Sequence, residues 1–202
     1  MTEKLKTQID ISDATLESSM NYVEYRSLID ELYERNIVTG HEQKETYLPY
    51  TQMNIQRMNR WDKHFEPTEE LIEAVKKIST KQTWLIITEG WCGDSAQNLP
   101  AVEKISSYNG LIKTKYLLRD DNDAIMQQFL TNGKKSIPKV ICFDAAKNIL
   151  WQWGPRPAGA FEAMEAAKQE GLDATAVKEK LHLWYARDKQ QNLQQEFLDL
   201  LS

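Results

Sequence analysis

The stretch EGWCGDSAQNLP, residues 89–100, holds one of only two cysteines in the chain, and holds it where a thiol can be made reactive. Cys92 follows an apolar, β-branched run, Trp84-Leu85-Ile86-Ile87, that ends before Gly90, and it precedes Leu99, Val102 and Ile105, spaced as one face of a helix. A cysteine at such a strand-to-helix junction meets unpaired backbone N–H groups and the positive end of the helix dipole, which lower its pKa and favour the nucleophilic thiolate. Asp94 also suits a helix N-terminus but repels a nearby thiolate. These effects oppose, and spacing alone does not rank them. Ser95, three residues after the cysteine, offers a hydroxyl that can hydrogen-bond a thiolate or cap the helix.

The other polar candidates have simpler readings. His41, His64 and His182 are scattered without the spacing of a metal site, so surface or helix-end roles are expected and no metal is. Asp120, Asp121 and Asp123 read as carboxylates of a strand-to-helix turn, lacking the regular ligands and internal glycine of a calcium loop. Lys139 is expected to be solvated. Trp151 and Trp153 alternate as strand residues do, and at least one belongs in the core.

These residues need a scaffold, and the pattern supplies one. Tyr22, Tyr25, Leu28, Ile29 and Leu32 predict one helix, and Tyr50, Met53, Ile55, Met58 and Trp61 a second. Glu66-Pro67 opens a third, with Leu71, Ile72, Val75 and Ile78 on one face. After the strand at 84–87 and the helix of Leu99, a strand over 112–118 alternates apolar residues with Lys113 and Lys115, as at a sheet edge. Asn122 or Asp123 caps a helix through Ile125, Met126, Phe129 and Leu130, closed by Gly133. Val140–Phe143 and Ile149–Trp153 form an antiparallel hairpin about a turn at 144–148. A short helix from Pro157 carries Phe161 and Met164 and closes at Gly171. A last helix, with Val177, Leu181 and Trp184, is exposed or broken at the polar run 187–192 before Phe197, Leu198 and Leu201 resume.

With 202 residues, 30 acidic against 25 basic side chains and a net charge of −5, the chain suits one core with elaborations and is a poor binder of phosphate backbones. Nucleic acid is not an expected partner. No apolar run approaches the roughly 20 residues of a membrane span. The N-terminus MTEKLKTQID has neither a basic nor an apolar leader region, and two cysteines make no disulfide framework, so a cytoplasmic home is expected. The expected division is a helical extension over 1–65, a core domain over 66–170 and a C-terminal helix over 171–202.

Several separated features resemble the thioredoxin family: Trp91-Cys92-Gly93, Pro100 eight residues beyond the cysteine, Ile137-Pro138 where that family carries its cis-proline, and Phe143 and Gly154 at the family's spacing. The Trp-Cys-Gly-Asp-Ser motif and Trp153-Gly154-Pro155-Arg156-Pro157 resemble a divergent single-thiol branch with an N-terminal helical extension. The resemblance spans about residues 66–170 and implies an α/β thioredoxin-like fold, a mixed sheet flanked by helices, with helical additions at both ends. A hairpin returns its second strand to where the first began, so Gly154 and Arg156 should come back beside Pro138 and Cys92. Trp91, Gly93, Asp94, Ile137, Pro138, Gly154 and Arg156 are then the expected substrate-binding residues, five of them lining one groove where an extended peptide pairs beside the cis-proline. Arg156 is expected to stabilise the thiolate or attract an acidic partner.

The sequence departs from that family in two places. Ser95 stands where thioredoxins carry the resolving cysteine, and Ile86 where they bury an aspartate that moves protons during resolution. Cys142 lies about 13 Å along a strand from Pro138 at roughly 3.3 Å per residue, beyond the ~7 Å that a disulfide allows, and reads as core. The expected activity is thiol–disulfide exchange through a mixed disulfide at Cys92, assisted by Ser95 and resolved by an external thiol. The expected partner is a thiol- or disulfide-bearing protein or a small thiol, with no cofactor beyond that thiol. The alternative is a redox-silent peptide- or protein-binding module. Cys-Gly-Asp-Ser also resembles the Cys-Gly-Phe-Ser of iron–sulfur-carrying monothiol glutaredoxins, but their Gly-Gly-Asp segment is missing after the hairpin. The oligomeric state is not legible.

Overall fold

Two periodicities alternate through the middle of the chain and resolve, in the computed structural model, into one four-stranded sheet with helices on its faces. The structure describes residues 7–202; the first six residues, which hold most of the charged N-terminus and the start of the expected helical extension, lie outside the described residues. Strand β1 (Gln82–Thr88) is central, with β2 (Ile112–Leu118) parallel on one side and β3 (Lys139–Asp144) antiparallel on the other. The edge beyond β3 is β4 (Ile149–Trp153), giving the order β2-β1-β3-β4. Trp84 and Ile86 project into one apolar cluster and Leu85 and Ile87 into another. Burial on both faces is why β1 reads as a continuous apolar run instead of an alternation.

Helix α1 (Asp13–Ser18) is a short lead-in, and α2 (Tyr22–Glu34) and α3 (Tyr47–His64) follow as the periodicity predicts. Asn21 and Glu24 form a reciprocal capping box at the start of α2. Helix α4 (Glu69–Lys76) begins later than Glu66-Pro67, because the Thr68 hydroxyl accepts the Leu71 N–H at 3.3 Å and sets the cap there. Helix α5 (Gly93–Ser106) connects β1 to β2 and is buried nearly all round. β2 is indeed an edge, but its lysines are not its only cover: Met20 exchanges backbone hydrogen bonds with Tyr116 at 3.1 and 2.8 Å.

One expectation for the second half needs correction and another is resolved. The helix expected through Leu130 is only α6 (Asp123–Met126) and a 3-10 turn over Gln127–Phe129, because the Asn122 amide donates to the Leu118 carbonyl at 2.8 Å instead of capping. The last helix, expected to be exposed or broken at its polar run, is broken there into α8 (Ala174–Asp188) and α9 (Gln191–Leu201), preceded by α7 (Ala158–Gln169). The break lies at Lys189 and Gln190, both with positive φ, and Gln190 is buried, donating to the Gln97 carbonyl of α5. A polar residue in the gap thus anchors the break to the core.

The helical additions pack onto the core: α2 on β2, α3 on α5, α9 on α4, and α8 on α7. Phe197 of α9 is fully buried among Trp84, Trp151 and Trp153, with ring centroids 5.5 to 5.7 Å away. Among the described residues no helix is long and apolar enough to cross a membrane, and no group of three His, Cys, Asp or Glu side chains could hold a metal ion. The packing of α9 makes a prediction. Phe197→Ala should lower the unfolding free energy by about 3–5 kcal/mol, whereas Val23→Ala, at an exposed position, should change it by less than about 0.5 kcal/mol. Urea midpoints of the two variants would show the difference.

Candidate active site

Cys92 is the N-cap residue of α5 and keeps 8 % of its surface exposed. Its thiol donates to the Ile137 carbonyl at 3.3 Å, a contact that favours the protonated form. Burial pushes its pKa up to about 11, Asp94 adding to the rise, against the pull of hydrogen bonds from the Ser95 hydroxyl and the Ser95 and Asp94 backbone. The balance that spacing left open between the helix N-terminus and Asp94 thus falls on the side of a raised pKa, with burial its largest cause. A helix terminus contributes about 0.3–1 kcal/mol at an exposed site, less than the desolvation of a buried anion.

Ser95 does not cap the helix. Its Oγ accepts the Thr88 hydroxyl at 2.7 Å, which leaves its own single proton for the sulfur, and Thr88 in turn lies 3.3 Å from the Tyr25 hydroxyl of α2. Asp94 is held from two sides: its Oδ2 pairs with Arg156 at 2.6 Å, and its Oδ1 accepts the Tyr185 hydroxyl of α8 at 2.8 Å. Burial pushes the Asp94 carboxyl up, opposed by Arg156 and Tyr185. Arg156, expected to serve the thiolate or a partner, instead has its guanidinium bound to this carboxylate.

A cavity of about 270 Å³ opens beside the cysteine. Trp91, Cys92, Gly93, Asp94 and Arg156 line it from the core, Tyr47, Tyr50 and Arg57 from α3, and Lys178, Leu181 and His182 from α8. The Trp91 ring is stacked on Tyr47 at 4.6 Å and donates its Nε1–H to the Thr39 carbonyl at 3.1 Å. The five residues expected to share a groove are divided. Trp91 and Arg156 line this cavity, Ile137 and Pro138 are buried, and Gly154 borders a second cleft with Thr131 and Trp153, to which Arg156 also contributes. The Ile137–Pro138 and Gly154–Pro155 peptide bonds are both cis. The hairpin does bring Gly154 back against Pro138: φ is +110°, and a Cβ there would run into the Pro138 carbonyl oxygen, so only glycine fits.

Cys142 lies on the opposite face of the sheet from Cys92, packed with Trp84 and Trp151 and donating to Gln82 Oε1 at 3.3 Å. Burial also raises its pKa. Ile86 is fully buried on the Cys142 side. Two further readings are corrected. Lys139 is buried, with Nζ 3.4 Å from the Thr131 hydroxyl, because the start of β3 is covered. His182 sits in the middle of α8 and half-buried; burial, with Arg57 and Lys178 nearby, pushes its pKa down to about 4. Sequence reasoning missed Arg57, Lys178 and Tyr185 as site residues, since they lie on helices outside the motif. Only the i, i+4 spacing of Leu181 and Tyr185 hinted that Tyr185 faces inward.

The thioredoxin family profile matches residues 40–168. Among solved structures, a protein of unknown function from Pseudomonas aeruginosa superposes with a TM-score of 0.62 at 16% identity, covering 95% of this chain and 98% of that one. An HIV epitope-scaffold superposes with a TM-score of 0.60 at 14% identity, again over 95% of this chain and 98% of its own. At these identities the likeness is one of fold, and it takes in the helical additions. No curated protein matches the chain.

The electrostatics around Cys92 can be read from its alkylation rate. Iodoacetamide labelling, with Cys92 followed by mass spectrometry, should rise with pH toward a midpoint near 11. Asp94→Asn removes a negative charge that raises this pKa, so the midpoint should fall and labelling at pH 8 should become several-fold faster. An unmoved profile would mean that Asp94 does not act on the thiol.

Proposed function

This chain belongs to the thioredoxin family, and on that premise we propose that it is a single-thiol member acting in thiol–disulfide exchange at Cys92, with resolution by an external thiol. The observation that carries the reading is the placement of Cys92 in the wall of a cavity with the other thiol across the sheet. The Cys92 thiolate attacks one sulfur of a disulfide R–S–S–R, forming Cys92–S–S–R and releasing R–S⁻, which takes up the proton that Cys92 lost. A second thiol R′–SH then attacks the mixed disulfide on the R sulfur, giving R–S–S–R′ and restoring Cys92. Ser95 donates to the sulfur as charge develops there, and Gly93 leaves the approach clear of a side chain. Residues 66–170 would form the exchange unit, with 1–65 and 171–202 covering it. Two free cysteines suit a reducing cytoplasm.

The raised pKa of Cys92 favours a second reading, a redox-silent binding module built on the same fold. Magnitude decides between them. Raising a thiol pKa by about two units cuts the thiolate fraction roughly a hundredfold at neutral pH, while the more basic thiolate gains nearly tenfold in nucleophilicity at a Brønsted slope of about 0.4–0.5. The net effect is roughly tenfold slower exchange, a slow thiol but not an inert one. Nothing in the site supplies the further thiolates that an iron–sulfur cluster needs.

Incubation with a low-molecular-weight disulfide at pH 8 should add one mixed-disulfide mass to Cys92 in the wild type and in Cys142→Ser, and none in Cys92→Ser. Added thiol should release the adduct. Absence of any adduct after hours at millimolar disulfide would leave only the binding module standing.

A further inference from the structure

Resting on the exchange reading, we propose that the cavity beside Cys92 is a subsite for a small carboxylate-bearing thiol or its disulfide, with Arg57 and Lys178 holding the carboxylate. The dimensions come first. The cavity is about 270 Å³ and is walled by α3 and α8, elements outside the motif-bearing core. That volume falls just under the roughly 300–1,000 Å³ of typical ligand sites and suits a small molecule better than a strand of a folded protein. Ile137 and Pro138, the edge to which an extended peptide would add, are buried.

Charge comes next. Three cationic side chains line the cavity, Arg57, Lys178 and Arg156, against one carboxylate, Asp94. Asp94 is already committed to Arg156 and Tyr185. Arg57 donates only to the Asn54 amide oxygen at 3.0 Å and to the Met53 sulfur at 2.8 Å, and Lys178 to the Tyr50 hydroxyl at 3.1 Å. Among the described residues neither has a carboxylate within ion-pair distance. Two cations without an ion-pair partner, Arg57 feeling only the more distant Asp94 that Arg156 already holds, make this wall of the site the one that favours an anion in a chain whose net charge is −5.

Position completes the argument. Arg57 Nη1 and His182 Cε1 each lie 3.5 Å from where a Cβ on Gly93 would stand, so the cationic wall begins one residue from the reacting sulfur. His182 lines the same cavity with a buried Nδ1 that has no hydrogen-bond partner, and Arg156 Nε is likewise unpartnered. Both are polar atoms that a ligand or its bound water can satisfy. Tyr47, Tyr50 and Trp91 supply the apolar faces between them. A carboxylate on Arg57 and Lys178 thus places a thiol a few atoms away against Cys92, which is how a site without a second cysteine can hold its resolving thiol.

A series of disulfides differing in charge tests this. Adduct formation at Cys92 is timed with glutathione disulfide (anionic), bis(2-hydroxyethyl) disulfide (neutral) and cystamine (cationic). The anionic disulfide should react at least tenfold faster than the neutral one, and cystamine slowest. Arg57→Gln and, separately, the exposed Lys178→Glu should each cut the anionic-to-neutral ratio several-fold, with far-UV circular dichroism checking the fold. Equal rates, or a ratio unmoved by both variants, overturns the subsite while leaving exchange at Cys92 intact. Failure of all three disulfides overturns the exchange reading and this one with it. As a readout independent of reaction, glutathione should bind Cys92→Ser in calorimetry and bind it at least tenfold more weakly when Lys178→Glu is added. No binding to Cys92→Ser would count against the subsite.

Discussion

A carboxylate buried in the first turn of α5 constrains the rest of the site. An ionised Asp94 removed from water is tolerable only if its oxygens are matched, and the matching groups come from distant parts of the chain: Arg156 just after the hairpin and Tyr185 from α8. Each partner fixes an element. Arg156 ties the segment after β4 to the start of α5, and Tyr185, which also accepts the Asn98 amide at 3.1 Å, ties α8 to the middle of the same helix. Removing one member of such a pair typically costs about 3–5 kcal/mol because the other charge is left buried. The geometry around Cys92 is thus held by an ionic contact with little slack.

The same carboxylate governs the chemistry. It adds to the rise in thiol pKa that burial causes, against the pull of the helix N-terminus, and it takes up the Arg156 guanidinium. What remains is a guarded thiol: buried, donating to the Ile137 carbonyl, and steadied by a hydroxyl chain from Tyr25 through Thr88 to Ser95. That chain begins in α2, and the cavity walls come from α3 and α8. The helical additions therefore belong to the site. With the thioredoxin-like core they wall a partly open cavity of about 270 Å³ that carries Arg57 and Lys178.

Much of the architecture was legible because it follows from local rules. The buried run at 84–87, the lysine-bearing strand over 112–118 and the hairpin over 140–153 all declare themselves through side-chain alternation and turn residues. Where local signals were weak, tertiary contacts prevailed. Asn122 could cap or bond backward, and the Leu118 carbonyl decided it. The polar run at 187–192 could be exposed, but the Gln97 carbonyl drew Gln190 inward. Lys139 looked solvated from its type alone, and only the cover over the start of β3 buried it.

By itself the sequence determined that one thiol stands at a strand-to-helix junction, that its three-residue partner is a hydroxyl, and that a glycine must return beside Pro138, since each depends on residue type and short-range spacing. It also placed Cys142 away from Cys92; the structure adds that the two lie on opposite faces of the sheet. Only the tertiary structure decided the sign of the Cys92 pKa shift, the partner of Arg156 and the cationic wall of Arg57 and Lys178. These depend on desolvation and on charges brought together from tens of residues apart, and electrostatic energy follows distance in space, which a linear order of residues does not record.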